Sequence, residues 1–545
     1  MKYEPRRVKP KRAAGGVLLL VALLMISCNR AEPGPGSAEV SQPTAQSVAA
    51  QPNPTEAGSV ALPSPIPPTA TPLPTAPPEP LPSPAHTLPA ESPTPTAELT
   101  DAESPAPAAL IAVPPGMAIT ETNLTLPTYP FRDFLIEQLE PPYNMPVFYL
   151  DRAAYEATDP TPVPVEYQAI ILENPYLRLT FLPELGGRLY SAVVKATGQE
   201  IFYHNPVVKP TRYGILQPPE ANWWLASGGM EWAYPVQEHG YRFGVPWTYR
   251  LNQSESSLTI ILSDTGPDRV GLEVAVTLPV DSASFTVAPT LTNNGTEAGP
   301  VQLWLNAALA LAPETMSLNT RFIIPTEQVL VHSRGGNGWQ VADSGETSAW
   351  PLVDGKDLSD YSQWADYLGF FVPQPDLPFM GAYNPDTDLG VVRLGPGPGH
   401  KLFAFGKDFW DKSYSDNNSQ YFEMWGGVNS GFWPEDDVSV APGQSLQWQE
   451  QWWPLAGLGG LTWATPQVAI SLSGQGETTQ LAALLAQPQP GQVIVQAGAA
   501  TLLNEPFEAD PARPLVWQFA ASAEPLQIQF IDNDGLVLLN HCRGC

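Results

Sequence analysis

The sequence predicts an all-β protein whose main part is one large two-sheet β-sandwich. Short apolar or alternating segments recur along the chain, at residues 177–182, 258–263, 271–278 and 284–291 among others. Gly, Pro, Asn and Asp interrupt these segments at strand length, and no long stretch has the apolar spacing of a helix. The strands extend too far along the chain for one small sandwich, so the predicted sandwich is a large one.

The first 28 residues have the pattern of an export signal. Lys and Arg crowd the first 12 positions, an apolar run follows at 17–26, and Ser27 and Cys28 come directly after it. The run is shorter than the roughly 20 apolar residues that cross a bilayer. A small residue followed by cysteine resembles the lipobox of bacterial lipoproteins, in which the cysteine is lipidated. We therefore expect a lipid-anchored protein outside the cytoplasm, at the bacterial cell membrane, with an ordinary signal peptide or an uncleaved anchor as the alternative.

Residues 29–118 are predicted to form a disordered tether. The stretch consists largely of Pro, Ala, Thr and Ser and has few aromatic or branched apolar residues. Such a composition buries too little surface to offset its ordering entropy. Whether the tether carries O-linked sugars is open.

The charge of the chain argues against nucleic acid as a partner. The sequence has 26 basic and 55 acidic residues, a formal net charge of −29, and a phosphate backbone would be repelled. The chain also has 16 Trp residues, most of which are expected in the core. An acidic, Trp-rich surface protein suits a neutral ligand such as a sugar, which stacks on aromatic rings. We expect a monomer with no metal and no cofactor.

The most site-like stretch is SGGMEWAYPVQEHGY at residues 227–241. It combines two glycines, which allow unusual backbone conformations, with Glu231 and His239 and with the aromatic rings of Trp232 and Tyr241. A strand of the core needs no such combination of polar groups, so we expect a ligand site here. The alternative is a surface loop whose aromatic rings close the edge of the core.

Residues 174–191 and 197–203 resemble the opening hairpins of galactose-mutarotase-like domains. Together with 227–241 they are similar to an uncharacterised bacterial family of such domains, a domain of unknown function often attached to tetratricopeptide repeats. The resemblance covers roughly residues 145–464. It implies a galactose-mutarotase-like β-sandwich, or supersandwich, over residues 119–464.

Hexose-phosphate mutarotases carry a similar order of Gly-Gly, aromatic-Pro and His-Gly-aromatic, followed by Arg. The corresponding positions here are 228–229, 234–235 and 239–241, and the resemblance implies that His239 lies in a sugar cleft. Arg242 stands one position earlier than the pattern requires. That offset, with the acidic charge of the chain, argues against a phosphorylated sugar.

The resemblance also implies a catalytic pair. Glu423, in the segment 421–427, stands where mutarotases carry their general base, while Asn306 stands where galactose mutarotases carry an Asn after a second active-site His that this chain lacks. Glu423 would take the proton of the anomeric hydroxyl and His239 would protonate the ring oxygen. The alternative is that both residues only contact a ligand.

The expected contacts to the sugar come from five residues. Arg188 follows the Gly-Gly turn at 186–187 and is expected to point into the cleft, with a salt bridge at the turn as the alternative. The full predicted substrate-binding set is Glu231, Trp232, Arg188, Asn306 and Tyr241.

Residues 465–545 are predicted to form a smaller β segment, either an accessory sandwich or an extension of the main domain. It ends in Cys542 and Cys545, the only cysteines besides Cys28. Outside the cytoplasm this pair can form a disulfide, and free thiols are the alternative. A zinc site would need two more ligands.

Two classes of function follow from the sequence. One is a cell-surface lipoprotein that binds carbohydrate through a mutarotase-like cleft. The other is an enzyme, either an aldose mutarotase or a polysaccharide-acting relative. Lyases and phosphorylases that share this sandwich usually carry a helical domain, and the sequence predicts none.

Overall fold

The computed structural model describes residues 113–545 except 141–142, 213–218, 237, 337–340, 375, 396–398 and 410–413. The predicted signal peptide, the lipidation residue Cys28 and nearly all of the predicted tether therefore lie outside the described residues. The described residues fall within one compact unit, Ala108–Cys545. Within them, no helix is both long and apolar enough to cross a membrane.

The described residues form 36 strands. The strands up to residue 309 are β1 (Ala118–Thr128), β2 (Leu135–Glu140), β3 (Met145–Leu150), β4 (Val163–Glu173), β5 (Leu177–Leu182), β6 (Arg188–Val194), β7 (Gln199–Glu200), β8 (His204–Arg212), β9 (Trp223–Ala233), β10 (Thr248–Gln253), β11 (Ser257–Asp264), β12 (Val270–Pro279), β13 (Phe285–Asn293), β14 (Gly299–Val301) and β15 (Trp304–Leu309).

The strands between residues 321 and 456 are β16 (Arg321–Ile323), β17 (Gln328–Arg334), β18 (Thr347–Ala349), β19 (Leu352–Val353), β20 (Lys356–Asp357), β21 (Leu368–Phe371), β22 (Met380–Asn384), β23 (Leu389–Leu394), β24 (Gly399–Ala404), β25 (Phe422–Gly427), β26 (Val438–Val440), β27 (Ser445–Gln447) and β28 (Glu450–Ala456). The last strands are β29 (Trp463–Ala464), β30 (Val468–Gln475), β31 (Thr478–Leu485), β32 (Gln489–Ala497), β33 (Ala500–Ala509), β34 (Leu515–Ala520), β35 (Leu526–Asp532) and β36 (Val537–Arg543).

Helix is scarce in the described part of the chain. One short α-helix, α1 (Arg152–Glu156), begins where the Asp151 side chain accepts a hydrogen bond from the backbone of Ala154, which satisfies one of its free amide groups. Single turns of 3₁₀ helix lie at Arg132–Phe134, Pro219–Ala221, Tyr361–Gln363 and Pro434–Asp436. The predicted all-β class is confirmed.

Two large sheets form the main body. The first has 13 strands in the order β18-β17-β21-β24-β25-β15-β9-β8-β1-β4-β5-β6-β7, and the second runs β10-β11-β12-β13-β28-β23-β22-β16 with β27 also paired to β13. The pairings are antiparallel, except for a contact between Thr128 of β1 and Val208 of β8. The predicted large two-sheet sandwich is therefore present.

The main hydrophobic core lies between these two sheets. The second sheet supplies alternate residues of its strands, as in β12, where every second side chain from Leu272 to Leu278 is buried. The 13-stranded sheet supplies residues such as Met230 of β9 and Met424 of β25 to the same core. Alternation of this kind is what a pleated strand with one face on the core requires.

The C-terminal strands have a hydrophobic core of their own. They form two four-stranded sheets, β29-β30-β31-β34 and β33-β32-β35-β36, whose inward side chains include Val493, Ile528 and Phe530. A further apolar cluster joins this part to the outside of the second large sheet. A disulfide joins Cys542 of the last strand to Cys545. Of the two alternatives predicted for this pair, a disulfide and free thiols, the structure has the disulfide.

Candidate functional site

The polar residues of interest lie on the side of the 13-stranded sheet that faces away from the main core. Glu231 of β9 pairs with Asn306 of β15, Asn306 pairs with Trp425 of β25, and Trp425 pairs with Lys401 of β24. Directly paired residues of antiparallel strands point to the same side of a sheet. These four side chains therefore form a row across four neighbouring strands.

A second row lies beside the first. Ala308 of β15 pairs with both Gly229 of β9 and Glu423 of β25, and Glu423 pairs with Phe403 of β24. The residues between the rows, such as Met424, point into the main core. We call the side of the sheet that carries these two rows the site face.

Glu231 is the centre of a buried polar network. Its carboxylate accepts hydrogen bonds from Arg188 Nη2 at 2.8 Å, Trp224 Nε1 at 3.0 Å and Asn306 Nδ2 at 3.2 Å. His239 Nδ1 lies 2.6 Å from Glu231 Oε1, and since a carboxylate accepts only, this nitrogen carries the proton. Burial raises the pKa of Glu231, but the charges of Arg188 and His239 outweigh that effect and lower it to about 2. Glu231 is therefore a carboxylate at neutral pH.

His239 is held by aromatic rings as well as by this hydrogen bond. Its ring stacks on Trp224 with centroids 4.3 Å apart and lies 5.5 Å from the ring of Trp425. The loop that carries it folds back on β9, and Gly240, with φ +62°, packs so closely on the backbone of Tyr234 that a Cβ would overlap it. The loop thus returns His239 to the site face beside Glu231.

Glu423 has different surroundings from Glu231. It is 5% exposed, and its Oε2 accepts a hydrogen bond from Trp425 Nε1 at 2.9 Å. Burial raises the pKa of Glu423, and the charges of His239 and Lys401 offset only part of that rise. The protonated form of Glu423 is therefore favoured more than that of an ordinary carboxyl group, which suits a group that accepts a proton.

A second ion pair, between Lys401 and Glu238, lies beside the Glu231 network. Lys401 Nζ donates to Glu238 Oε1 at 2.7 Å, and His332 Nε2 lies 3.3 Å from the same oxygen without hydrogen-bond geometry. Burial raises the pKa of Glu238, but Lys401 and His332 lower it to about 2. Burial lowers the pKa of His332 to about 4, so the charged pair here is Lys401 with Glu238.

A cleft opens beside this network. Aromatic side chains and the Glu231 network line it, among them Tyr203, Tyr421 and Trp224. Ser227 Oγ and Asn306 Oδ1 line the same cleft, are buried, and have no hydrogen-bond partner among the described residues. Buried polar atoms are nearly always paired, so two such oxygens in one cleft suit a bound molecule that donates hydrogen bonds.

A family model described as Domain of unknown function (DUF5107) matches residues 144–455, more than half of the chain. The chain belongs to this family. The predicted membership of a domain family of unknown function is therefore confirmed.

Solved structures similar to this DUF5107 chain include a TPR-domain containing protein from Parabacteroides distasonis. The two are 22% identical with a TM-score of 0.51, and the match covers 63% of this chain and 56% of that one. The chain thus spans little more than half the length of that protein. At this identity the likeness concerns the fold alone.

Two further similar structures carry mutarotase names. A galactose mutarotase related enzyme from Lactobacillus acidophilus is 12% identical, with a TM-score of 0.36 and coverage of 53% of this chain and 97% of that one. A galactose mutarotase-like protein from Clostridium acetobutylicum is 12% identical, with a TM-score of 0.37 and coverage of 53% and 96%. TM-scores this low support no argument about the DUF5107 chain.

Most of the predicted site residues lie together in this DUF5107 domain. Glu231, Arg188, Asn306 and His239 form one hydrogen-bonded network. Glu423 joins it through Trp425, whose ring contacts His239 and whose indole nitrogen donates to Glu423. The salt bridge foreseen for Arg188 is present, but its partner is Glu231 and not a residue of the turn.

Trp232 and Tyr241 are not part of this network. Trp232 is 1% exposed in the main core, and its Nε1 donates to the carbonyl of Gly187 at 2.8 Å. It follows Glu231 directly in β9, so its side chain points to the opposite side of the sheet. Tyr241 packs against the main core. The prediction that Trp232 contacts a sugar is therefore wrong.

The two glycines of β9 allow a close approach of neighbouring strands. Gly228 and Gly229 have φ of +84° and +73°. A Cβ on Gly228 would overlap the backbone of Tyr203, and one on Gly229 would lie 2.7 Å from the Leu189 carbonyl. The close approach is therefore to the neighbouring strands, which Gly alone permits, while the backbone of both also lines the cleft.

Sequence reasoning missed four side chains of the site face and its surroundings: Trp224, His332, Lys401 and Trp425. The signal for Trp425 was strand alternation, because it stands two residues after Glu423 and therefore shares its side of β25. No motif marked Lys401 of β24 or His332 of β17.

Proposed function

We propose that the chain binds a neutral sugar in the cleft beside Glu231. The observation that carries the proposal is the presence of two unpaired buried acceptors, Ser227 Oγ and Asn306 Oδ1, in a cleft with aromatic walls. Sugar hydroxyls donate hydrogen bonds to such oxygens, and the apolar side of the ring packs on aromatic faces.

The charge of the site supports a neutral ligand. The guanidinium of Arg188 is paired with Glu231, and the ammonium of Lys401 is paired with Glu238. Each cation is therefore already neutralised by a carboxylate of the protein itself. A phosphorylated or acidic sugar would have to displace one of these buried pairs, which is costly.

The second candidate function is aldose mutarotation, and the surroundings of Glu423 favour it. Glu423 of β25 is directly paired with Ala308 of the adjacent strand β15, and it follows Tyr421 by two residues. Both Ala308 and Tyr421 line the cleft. In this mechanism Glu423 takes the proton of the anomeric hydroxyl while protonated His239 gives a proton to the ring oxygen. The bond between the anomeric carbon and the ring oxygen breaks, and the free aldehyde rotates. Reversal of both proton transfers closes the ring as the other anomer.

Within this mechanism Glu231 has a positioning role. It accepts the Nδ1 proton of His239 and fixes the orientation of the ring, and the proton exchange with the sugar is assigned to Nε2. This is how a carboxylate orients a catalytic histidine in many enzymes.

One experiment separates the two functions. Wild-type protein and Glu423→Gln are compared by exchange NMR on glucose and galactose, with line broadening used to follow binding. Under the enzyme hypothesis, wild type accelerates anomer exchange and Glu423→Gln abolishes it while still binding. Binding without acceleration supports the binding function alone. Acceleration that persists in Glu423→Gln would contradict the assignment of the base.

We also propose a membrane-anchored location, which rests on residues 1–28 of the sequence. Cys28→Ser is expected to move the protein from the membrane to the soluble fraction, because the lipid would no longer be attached. Immunoblots of separated fractions test this. Retention of the variant in the membrane at the wild-type level would contradict the lipid anchor.

A further inference from the structure

Lys401 is a buried cation that contacts both halves of the site. Its side chain is 2% exposed, and its Nζ lies 4.3 Å from the ring centroid of Trp425 and 4.2 Å from that of Phe432. The same nitrogen donates to Glu238 Oε1 at 2.7 Å. A charge that is almost completely buried needs such partners. Its ion pair and its cation–π contacts are stronger here than in water.

The first connection from Lys401 leads to His239. Glu238 precedes His239 in the chain, so the ion pair fixes the loop one peptide bond away from the imidazole. His239 is fixed from its other side by Glu231. Loss of the Lys401 charge would leave the half-buried Glu238 without its main counter-ion and free the loop to move.

The second connection leads to Glu423. Lys401 and Trp425 are directly paired across β24 and β25, which places the ammonium over the indole ring. The nitrogen of that indole donates to Glu423 Oε2 at 2.9 Å. A cation on the face of the ring draws electron density from it and strengthens the N–H as a donor, as neighbouring polar groups do in a hydrogen-bonded chain.

We infer that Lys401 is a positioning residue of the site, which holds the His239 loop through Glu238 and strengthens the hydrogen bond from Trp425 to Glu423. The roles of His239 and Glu423 in this inference rest on the proposed function. Lys401 itself has no place in the proton transfers described above.

Other charged groups near Glu423 also affect its pKa. His239 comes from the loop after β9 and favours the ionised form, while Glu231 of β9 opposes it. Glu423 in turn raises the pKa of its neighbour Tyr421, after burial, which is the larger cause. Lys401 is the cation on the strand directly paired with that of Glu423.

The test is the titration of Glu423 itself, which requires no sugar. Protein labelled with ¹³C at the Glu carboxyl carbons is titrated by NMR, and the Glu423 signal is assigned by its loss in Glu423→Gln. Lys401→Met is expected to raise the midpoint of Glu423 by about one pH unit or more, since an attractive charge is removed. Lys401→Arg, which keeps the charge on the aromatic rings, is expected to restore most of the wild-type midpoint.

Two further variants keep the test decisive if Lys401→Met does not fold. Trp425→Phe keeps a ring under the ammonium but has no N–H, and it is expected to raise the Glu423 midpoint. Lys195→Met is the matched control, because Lys195 is 38% exposed and 3.6 Å from Glu173, and it should leave the midpoint unchanged.

The inference and the proposed function can fail separately. An unchanged Glu423 midpoint in folded Lys401→Met and Trp425→Phe would overturn the inference, even for a protein that binds sugar. Absence of anomer exchange in wild type would contradict the mutarotase hypothesis and would leave a shifted midpoint in place as support for the role of Lys401.

Discussion

Glu231 and Glu423 lie on the same face of one sheet, yet their surroundings move their pKa values in opposite directions. Both are buried, which raises the pKa of a carboxyl group. Glu231 has a guanidinium, an imidazole, an indole and an amide around it, and its pKa falls to about 2. Glu423 has one indole donor and more distant charges, and its pKa stays above the ordinary value. This contrast is what an anchoring carboxylate beside a proton-accepting one requires.

The contrast predicts opposite effects of pH on the stability of two variants. Glu231 has a lowered pKa, so its contribution is complete above pH 4.5, its ordinary pKa, and is lost as pH falls toward 2. Urea unfolding should find Glu231→Gln less stable than wild type by about 3–5 kcal/mol at neutral pH, because Arg188 loses its partner. That difference should shrink as the pH falls below 4.5.

The stability difference between wild type and Glu423→Gln should depend on pH in the opposite direction. Because the folded protein favours protonated Glu423, the stability of wild type relative to this variant should fall as pH rises from 4.5 through the raised pKa. Glu273→Gln serves as the control, since Glu273 and its partner Arg250 are exposed and such pairs contribute about 1 kcal/mol or less. Identical pH profiles for the Glu231 and Glu423 variants would contradict these assignments.

Strand β9 explains why the sequence predicts the site segment correctly and the position of Trp232 incorrectly. The segment 227–241 stood out because it mixes glycines, carboxylates, an imidazole and aromatic rings. Every residue of β9 is buried, since one side faces the main core and the other faces the cleft and the network. The sequence therefore shows no polar and apolar alternation from which to assign sides, and Trp232 was placed on the wrong one.

Substitutions of Trp232 and Trp224, two of the three tryptophans of β9, should therefore have separable effects. Trp232→Phe should lower the free energy of unfolding, because the variant leaves a cavity in the core and loses the hydrogen bond to Gly187. Its affinity for sugar should change little. Trp224→Phe removes a hydrogen-bond donor to Glu231 and replaces the indole that stacks on His239 with a smaller ring. This variant should weaken sugar binding. Calorimetric titration with glucose or galactose and thermal melts measure both, and a loss of affinity confined to Trp232→Phe would contradict the placement.

At the scale of the whole molecule, the sequence predicts the large architecture better than the site. Strand-length apolar segments and their interruptions predict an all-β sandwich, because local patterning decides which face of a strand is buried. The network of Glu231 depends on Arg188, Trp224 and Asn306, which three strands bring together from distant parts of the chain. Such contacts between distant residues are set by sheet order, which periodicity does not reveal.

The C-terminal sheets also shield the sandwich. Val392, Leu394 and Leu455 on the outside of the second large sheet pack against Ala482 and Leu484 of the C-terminal part. A chain ending at residue 464 should therefore expose an apolar surface, self-associate and bind a hydrophobic dye. Light scattering and dye fluorescence, compared with the full chain, test this. A monomeric truncated chain with no increase in dye binding would show that this contact is dispensable.

The most direct test of the central claim is a crystal structure of the protein with glucose or galactose bound. The account predicts electron density for the sugar in the cleft beside Glu231, with hydroxyls within hydrogen-bond distance of Ser227 Oγ and Asn306 Oδ1 and the ring against the aromatic wall. Density for the sugar at another place, such as the outer face of the C-terminal sheets, with an empty cleft would contradict it.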